Sequence, residues 1–269
     1  MKIKEFLDKI LVCSKNVSQV DGIKVGDASA ELKGVGITMF PTTSVIKKCV
    51  EKGINLLIAR EPLTYSLDNG SYSKTDEGEF HQISKNKIKM LEDAKITLFR
   101  LHDTLDVLEK NPTFEGFIKY LGLKGKEFYG NHDLENFTND HFIFDSEITA
   151  KEFAKVIEEK TPLAHVKISG SANAKVKTFA FCNGIGRKLG EEIENNDCVI
   201  TGELTEFFEA ELTHEYAEQG HNKCLLILGH YGTEVLGVKL VAESLIEKFP
   251  EIKIEYIECG DSYSYVESK

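Results

Sequence analysis

Short strand-like runs rich in apolar residues alternate along this chain with amphipathic runs of helical period, and four of the strand-like runs stop at polar residues. Val35–Phe40, Asn55–Ala59, Ile96–Leu101, Val176–Cys182, Cys198–Thr201, Cys224–Leu228 and Ile252–Ile257 are the strand candidates. A strand that is apolar on both faces must be covered on both faces, which parallel sheets achieve by laying crossover helices over them. The helix candidates follow in the gaps. One opens at Pro41-Thr42-Thr43 and puts Val45, Ile46, Cys49 and Val50 on one side; the others are Ile83–Ala94, Arg187–Asn195, Leu204–Gln219 and Thr233–Phe249. The class is α/β. At 269 residues the chain has room for one large domain or two lobes.

The two halves share a rhythm. In each, a strand, a helix and a second strand lead to an acidic residue just past the strand end, Glu61 in the first half and Glu203 in the second. This predicts an internal duplication. Two segments break the rhythm. Ser66–Glu79 reads as an exposed polar loop, and Lys124–Asp145, with Asn131-His132-Asp133 and Asn139-Asp140-His141, reads as the connection between the halves.

Charge and cysteine usage exclude several function classes. With 33 Lys and Arg against 44 Asp and Glu, the net charge is −11, which repels a phosphate backbone and argues against nucleic acid as a partner. No apolar run reaches membrane-spanning length, and the N-terminus lacks the pattern of a leader peptide. The six cysteines are scattered, without C-x-x-C spacing, and read as reduced core thiols of a cytoplasmic protein. Nucleophile-elbow, P-loop and zincin motifs are all absent.

Four strand ends carry polar residues that an inert sheet does not need: Arg60-Glu61, His102-Asp103 with Asp106, Gly202-Glu203, and His230 with Glu234. Ligands of open α/β sheets bind beyond the carboxyl ends of strands. Carboxylates mixed with one or two imidazoles suit Zn, Mn or Fe(II). Each residue also has an ordinary alternative: a strand cap for His230, a first-turn glutamate for Glu234, turn or cap roles for Asp103 and Asp106, an N-cap for Glu203. The turn Cys182–Gly190, with Gly184 and Gly186 ahead of Arg187 and Lys188, could present amides to an anion or serve as a plain tight turn. The other histidines, 81, 132, 141, 165, 214 and 221, have no partner at ligand spacing and read as surface or loop residues.

These motifs, taken in order, resemble a known family. Asp21–Asp27 looks like its "DNVGLQVGD" element, Ile58–Leu63 sits at its "ITHHPL", His102–Asp106 at its "HTNLD", Cys182–Gly190 at its "CGGSGGS", Thr201–Glu203 at its "TGE" and Gly229–Glu234 at its "GHYATE". The family is that of the Nif-three-like dinuclear metal-centre hexameric proteins, often labelled GTP cyclohydrolase 1 type 2. A divergent branch, with "HEPTFY" and "HDHWH", is closer still to Arg60–Tyr65 and Phe99–Asp103.

The resemblance implies two similar α/β lobes with mixed sheets covered by helices, drawn at 1–125 and 126–269, and a metal cleft between the lobes. It also implies a homohexamer and a pair of divalent metals per subunit. Carried over, the ligand positions are Arg60, Glu61, Asp106, His230 and Glu234, with His102 added from the divergent branch. Arg60 and Glu61 stand where the family has paired histidines. A guanidinium offers only donors and cannot ligate a cation, although it can bond the carboxylates a metal would bridge. The expected metal set is therefore Glu61, Asp106, His230, Glu234 and His102, holding one divalent ion rather than two. Arg60, Asp103, Glu203, Gly184 and Gly186 form a supporting or anion-binding group. The implied function is metal-assisted hydrolysis of a small anionic or nucleotide-like substrate, and its rival is a non-catalytic hexameric scaffold for a metal or metabolite.

Overall fold

The computed structural model describes residues 1–11, 20–65, 81–132 and 136–266. The predicted loop Ser66–Glu79, Asp133 and Cys13 lie outside them. The chain forms two compact units, Met1–Leu108 with Val238–Cys259 and Glu109–Gly237 with Gly260–Lys269.

The first unit runs α1 (Ile3–Ile10), β1 (Gly22–Val25), β2 (Val35–Thr38), α2 (Thr43–Glu51), β3 (Leu56–Ala59), α3 (Gln82–Asp93), β4 (Thr97–Arg100) and the one-turn α4 (Asp103–Asp106). Its sheet has the order β1–β4–β3–β2, closed by a C-terminal strand, Ile254–Tyr256. The last strand, β2, β3 and β4 are parallel, whereas β1 pairs antiparallel with β4. Every residue of β2, β3 and β4 is buried, which is why these strands are rich in apolar residues, β3 throughout, with Thr38, Thr97 and Arg100 as the buried polar exceptions. Helix α2 starts where the Thr42 hydroxyl accepts the Val45 N–H and turns Val45, Ile46 and Cys49 inward. The resulting core is aliphatic, built from Val45, Ile46, Ile54, Leu57, Leu63, Leu91, Ile96, Leu98 and Ile257. Each such side chain contributes about 2 kcal/mol on burial.

The second unit runs α5 (Pro112–Leu121), β5 (Gly125–Phe128), β6 (Asp140–Thr149), α6 (Ala150–Lys160), β7 (Lys167–Gly170), β8 (Lys175–Ile185), α7 (Leu189–Asn195) and β9 (Cys198–Glu203). A π-helical turn (Glu206–Ala210), α8 (Glu211–Glu218), β10 (Cys224–Ile227) and α9 (Gly229–Lys248) complete it, the residues of α9 from Val238 onward counting with the first unit. The sheet order is β5–β6–β8–β9–β10–β7. Strands β8, β9 and β10 are parallel, and β7 is antiparallel to β10. Its core combines an aliphatic cluster, with Leu189, Ile193, Val199 and Leu225, and an aromatic one. Phe114, Phe117, Phe142, Phe144, Phe153, Phe179 and Phe181 are buried, with neighbouring ring centroids 4.9–6.3 Å apart.

Three sequence expectations are corrected. Lys124–Asp145 is not a connection: it holds β5 and the start of β6, whose Phe142 and Phe144 point into the aromatic core while Ile143 points out. Leu204–Gln219 is not one α-helix but a π-turn followed by α8. The last long helix begins at Gly229, not Thr233, because Gly229 takes φ +73° and turns the chain into the helix directly after β10.

The duplication is present in topology. β1–β4–β3–β2 and β7–β10–β9–β8 have the same order, the same three parallel strands and the same antiparallel edge. Superposing the registered pair Leu56–Thr97 on Cys198–Cys224 makes Glu61 the equivalent of Glu203. It also sets Arg60 over Gly202, Arg100 over Ile227, and Asp103 over His230.

Candidate functional site

The polar strand ends form one set of side chains in each unit. In the first, Arg60 and Glu61 follow β3, Arg100 ends β4, and His102 leads into α4 with Asp103 and Asp106. Arg60 is 2% exposed and donates through Nη2 to Asp106 Oδ1 at 2.8 Å. Its Nε lies 3.8 Å from Glu61 Oε1, and Arg100 Nη2 lies 3.8 Å from Glu61 Oε2. Arg100 also donates through Nε to the Arg60 carbonyl at 3.2 Å, tying the two strand ends together. Glu61 and both guanidinium groups are buried, so these charges are balanced against one another rather than by solvent.

His102 sits among the carboxylates. Its Nδ1 is 2.8 Å from Asp103 Oδ1 and 3.3 Å from Asp106 Oδ2, and its Nε2 is 3.6 Å from Glu61 Oε1. Burial and the Arg60 charge push its pKa down. The hydrogen bond to Asp103 and the charges of Asp106 and Glu61 outweigh them, so the imidazole lies above the ordinary histidine value. His102, Asp103 and Asp106 each offer a ligand atom within 4.8 Å of the others.

In the second unit, His230 and Glu234 are four apart on the first turns of α9, on one helix face. His230 Nδ1 is 2.8 Å from Glu203 Oε1, at the end of β9, and Nε2 is 3.7 Å from Glu234 Oε2. With Nδ1–H donating to the Glu203 carboxylate, Nε2 is the nitrogen that could ligate a metal, the arrangement metal-binding histidines use. Glu234 is buried and accepts from Asn183 Nδ2 at 3.1 Å; Glu203 is exposed. Asn183 is a contributor the sequence did not single out, because 51 residues separate it from Glu234.

The glycine turn spends amides internally. The Gly184 N–H donates to Thr233 Oγ1 at 3.0 Å and the Gly186 N–H to the Glu203 carbonyl at 3.4 Å. Arg187 stacks on the Phe137 ring at 4.8 Å.

Two histidines read as surface or loop residues have partners instead. His132 is buried against Asp140 at 3.0 Å, and His141 meets Glu192 at 2.8 Å. His81, His165, His214 and His221 are exposed. The five described cysteines are free thiols, four of them buried, and no described helix is long and apolar enough to cross a membrane.

Comparison with known proteins identifies the family and the fold. A protein from Clostridium acetobutylicum named GTP cyclohydrolase 1 type 2 homolog is 23% identical over 229 residues, covering 83% of this chain and 80% of its own. One of the same name from Methanocaldococcus jannaschii is 25% identical over 264 residues, covering 91% and 95%. The crystal structure of Staphylococcus aureus protein SA1388 has the same fold, with a TM-score of 0.71 over 99% of both chains at 22% identity. The model of the family described as Duf34/NIF3 (NGG1p interacting factor 3) matches residues 1–262, and the chain belongs to that family.

Proposed function

We propose that this protein binds one divalent cation per subunit, of the Zn, Mn or Fe class, and uses it to hydrolyse a small anionic, nucleotide-like substrate. The observation that supports this most directly is the convergence of His102, Asp103 and Asp106, with a ligand atom from each within 4.8 Å of the others. The donors available are Glu61, His102, Asp103 and Asp106 in the first unit and His230 and Glu234 in the second.

The residues suit one cation and do not suit the two that the family resemblance implies. Asp106 Oδ1 is already bonded to a buried guanidinium, and Arg60 can donate but not ligate. Two arginines stand against the three carboxylates of Glu61, Asp103 and Asp106, so once a cation displaces any proton on His102 the local charge is −1. That charge attracts one divalent ion far better than a second.

A bound divalent ion would supply Lewis acidity that brings a water's pKa toward neutrality. Glu203 is the exposed carboxylate able to accept a proton, and it orients His230 through Nδ1. Arg60 and Arg100, both buried, hold Asp106 and Glu61 in place rather than reaching for a substrate. The relatives' name makes nucleotides the first compounds to screen, although none of these side chains specifies guanine.

The ion pair of the buried Arg60 with the half-buried Asp106 also favours a second reading, a non-catalytic hexameric scaffold that has exchanged metal chemistry for a fixed internal cation. Elemental analysis of untagged protein, purified without chelator, separates the two. About one equivalent of metal per 30.2 kDa subunit is expected, and none after soaking with Zn or Mn would sink the metal reading. The paired exchange R60H/E61H should raise the stoichiometry; an unchanged value counts against the site. Sedimentation at the mass of six chains tests the hexamer.

A further inference from the structure

The residue that organises the first donor set is neither an imidazole nor a guanidinium. Asp21 immediately precedes β1, whose antiparallel pairing with β4 sets Gly22 opposite Arg100 and Ile23 opposite Phe99. That register carries Asp21 past the end of β4, to where the polar turn begins. Its carboxylate is 6% exposed. Oδ1 accepts the N–H groups of His102 at 2.6 Å and Asp103 at 3.1 Å, and Oδ2 accepts the N–H of Thr104 at 2.7 Å.

Helix α4 is a single turn of four residues and has no side-chain cap of its own. A lone turn cannot hold its shape unaided, because its nucleation cost is not recovered by propagation. Asp21 supplies acceptors for three consecutive amides that the turn leaves open. In the second unit the equivalent position, by the superposed registers, is Val166. There the donors stand on the first turns of a 20-residue helix that is rigid by length.

We propose that Asp21 is a positioning residue, which clamps the turn carrying His102, Asp103 and Asp106 so that their ligand atoms converge before a cation arrives. The inference rests on reading those three residues as cation donors. Pre-forming the set removes the ordering cost that a mobile turn would charge against binding.

The test is a Mn2+ titration of the full chain as wild type, Asp21→Asn and Thr97→Val. An asparagine turns one acceptor oxygen into an NH2 that faces a backbone N–H, so it must release part of the clamp. D21N should bind Mn2+ about tenfold more weakly or worse, with unchanged stoichiometry. Thr97→Val is the control for a merely structural role. It removes the hydroxyl that bridges the Asp27 N–H and carbonyl at the other end of the same strand pair. T97V should lower Tm and leave the Mn2+ affinity at the wild-type value. Equal affinity in D21N and wild type, or equal weakening in T97V, overturns the proposal.

Amide hydrogen exchange on the metal-free wild type gives a second decision that needs no variant. The amides of residues 102–104 should be protected well beyond that of a free turn; fast exchange overturns the clamp even if D21N fails to fold. A wild type that binds no Mn2+ while those amides stay protected rejects the cation reading and keeps the clamp.

Discussion

The first and second units place acidic residues at equivalent positions, Glu61 and Glu203, and follow their last parallel strands with His-x-x-x-Asp and His-x-x-x-Glu. They neutralise these groups differently. In the first unit, Arg60 and Arg100 lie buried against Asp106 and Glu61. In the second, the equivalent residues are Gly202 and Ile227, and the contacts of His230 and Glu234 described above are with Glu203, Asn183 and each other. Gly202 is also where the second unit has no room for a side chain, since a Cβ there would lie 2.5 Å from the Gly184 carbonyl oxygen and 3.1 Å from that of Gly229. The lesson is that a repeated topology fixes where polar groups gather but not how their charge is met. One unit carries its own cations, Arg60 and Arg100, while in the other the contacts described join the imidazole and carboxylates to one another and to Asn183.

The sharpest way to break this contrast is Arg60→Met. It leaves Asp106 without its guanidinium and the buried Glu61 without one of two at equal distance, and we expect a loss of about 3 kcal/mol by urea denaturation, toward the low end for a buried pair because Asp106 is partly exposed. A change below about 1 kcal/mol would mean that the first unit does not depend on its internal cation. In the second unit, Gly202→Ala should cost about 2 kcal/mol, because the obstructing atoms are backbone and cannot swing aside. A neutral result would remove the steric half of the argument.

Glu203→Gln probes the second unit more gently. Metal affinity should fall about tenfold through the loss of His230 orientation. Stability should hardly move, since the glutamate is exposed. Titration calorimetry beside a melting curve reads both.

The smallest effect sets a baseline for an imidazole–carboxylate pair outside the two sets. The hydrogen bond to Glu192 raises the His141 pKa above its usual value, against partial burial. For Glu192, burial pushes the pKa up, yet the bonds from His141 and Asn139 outweigh it and leave it lowered. The histidine contribution is therefore complete below about pH 6.5 and fades as pH rises through the folded-state value; the glutamate contribution is present above about pH 4.3 and fades as pH falls through its own. Denaturation of His141→Gln against wild type should differ most between those limits, by about 1 kcal/mol or less for a pair this exposed. A difference that grows above pH 7 would contradict the assignment.

What could be read from the sequence follows from which physical signals are local. Strands β2, β3, β8, β9 and β10 announce themselves through buried runs rich in apolar residues, and the donors because they interrupt that apolarity at strand ends. Strand β6 is covered on one face, and its alternation of Phe142 and Phe144 around Ile143 is too brief to stand out among polar neighbours. Arg60 gives no sign of burial, since its partner Asp106 is 46 positions away. The pairing of His141 with Glu192 spans 51. The early start of α9 was masked by Gly229, which in sequence looks like the end of a turn rather than the first residue of a helix.

The buried thiols have a practical consequence. Burial pushes Cys49 up to about 12, and raises Cys182 and Cys198 well above an ordinary thiol. With almost no thiolate and no access, they are silent toward alkylating reagents while the fold is closed. Cys49 lies in the first unit, and Cys182 and Cys198 lie in the second. With Cys13 and Cys259 replaced, the rate at which each remaining cysteine is labelled becomes a clock for the opening of its own unit. Mass spectrometry can then tell whether the two repeats come apart together or in sequence.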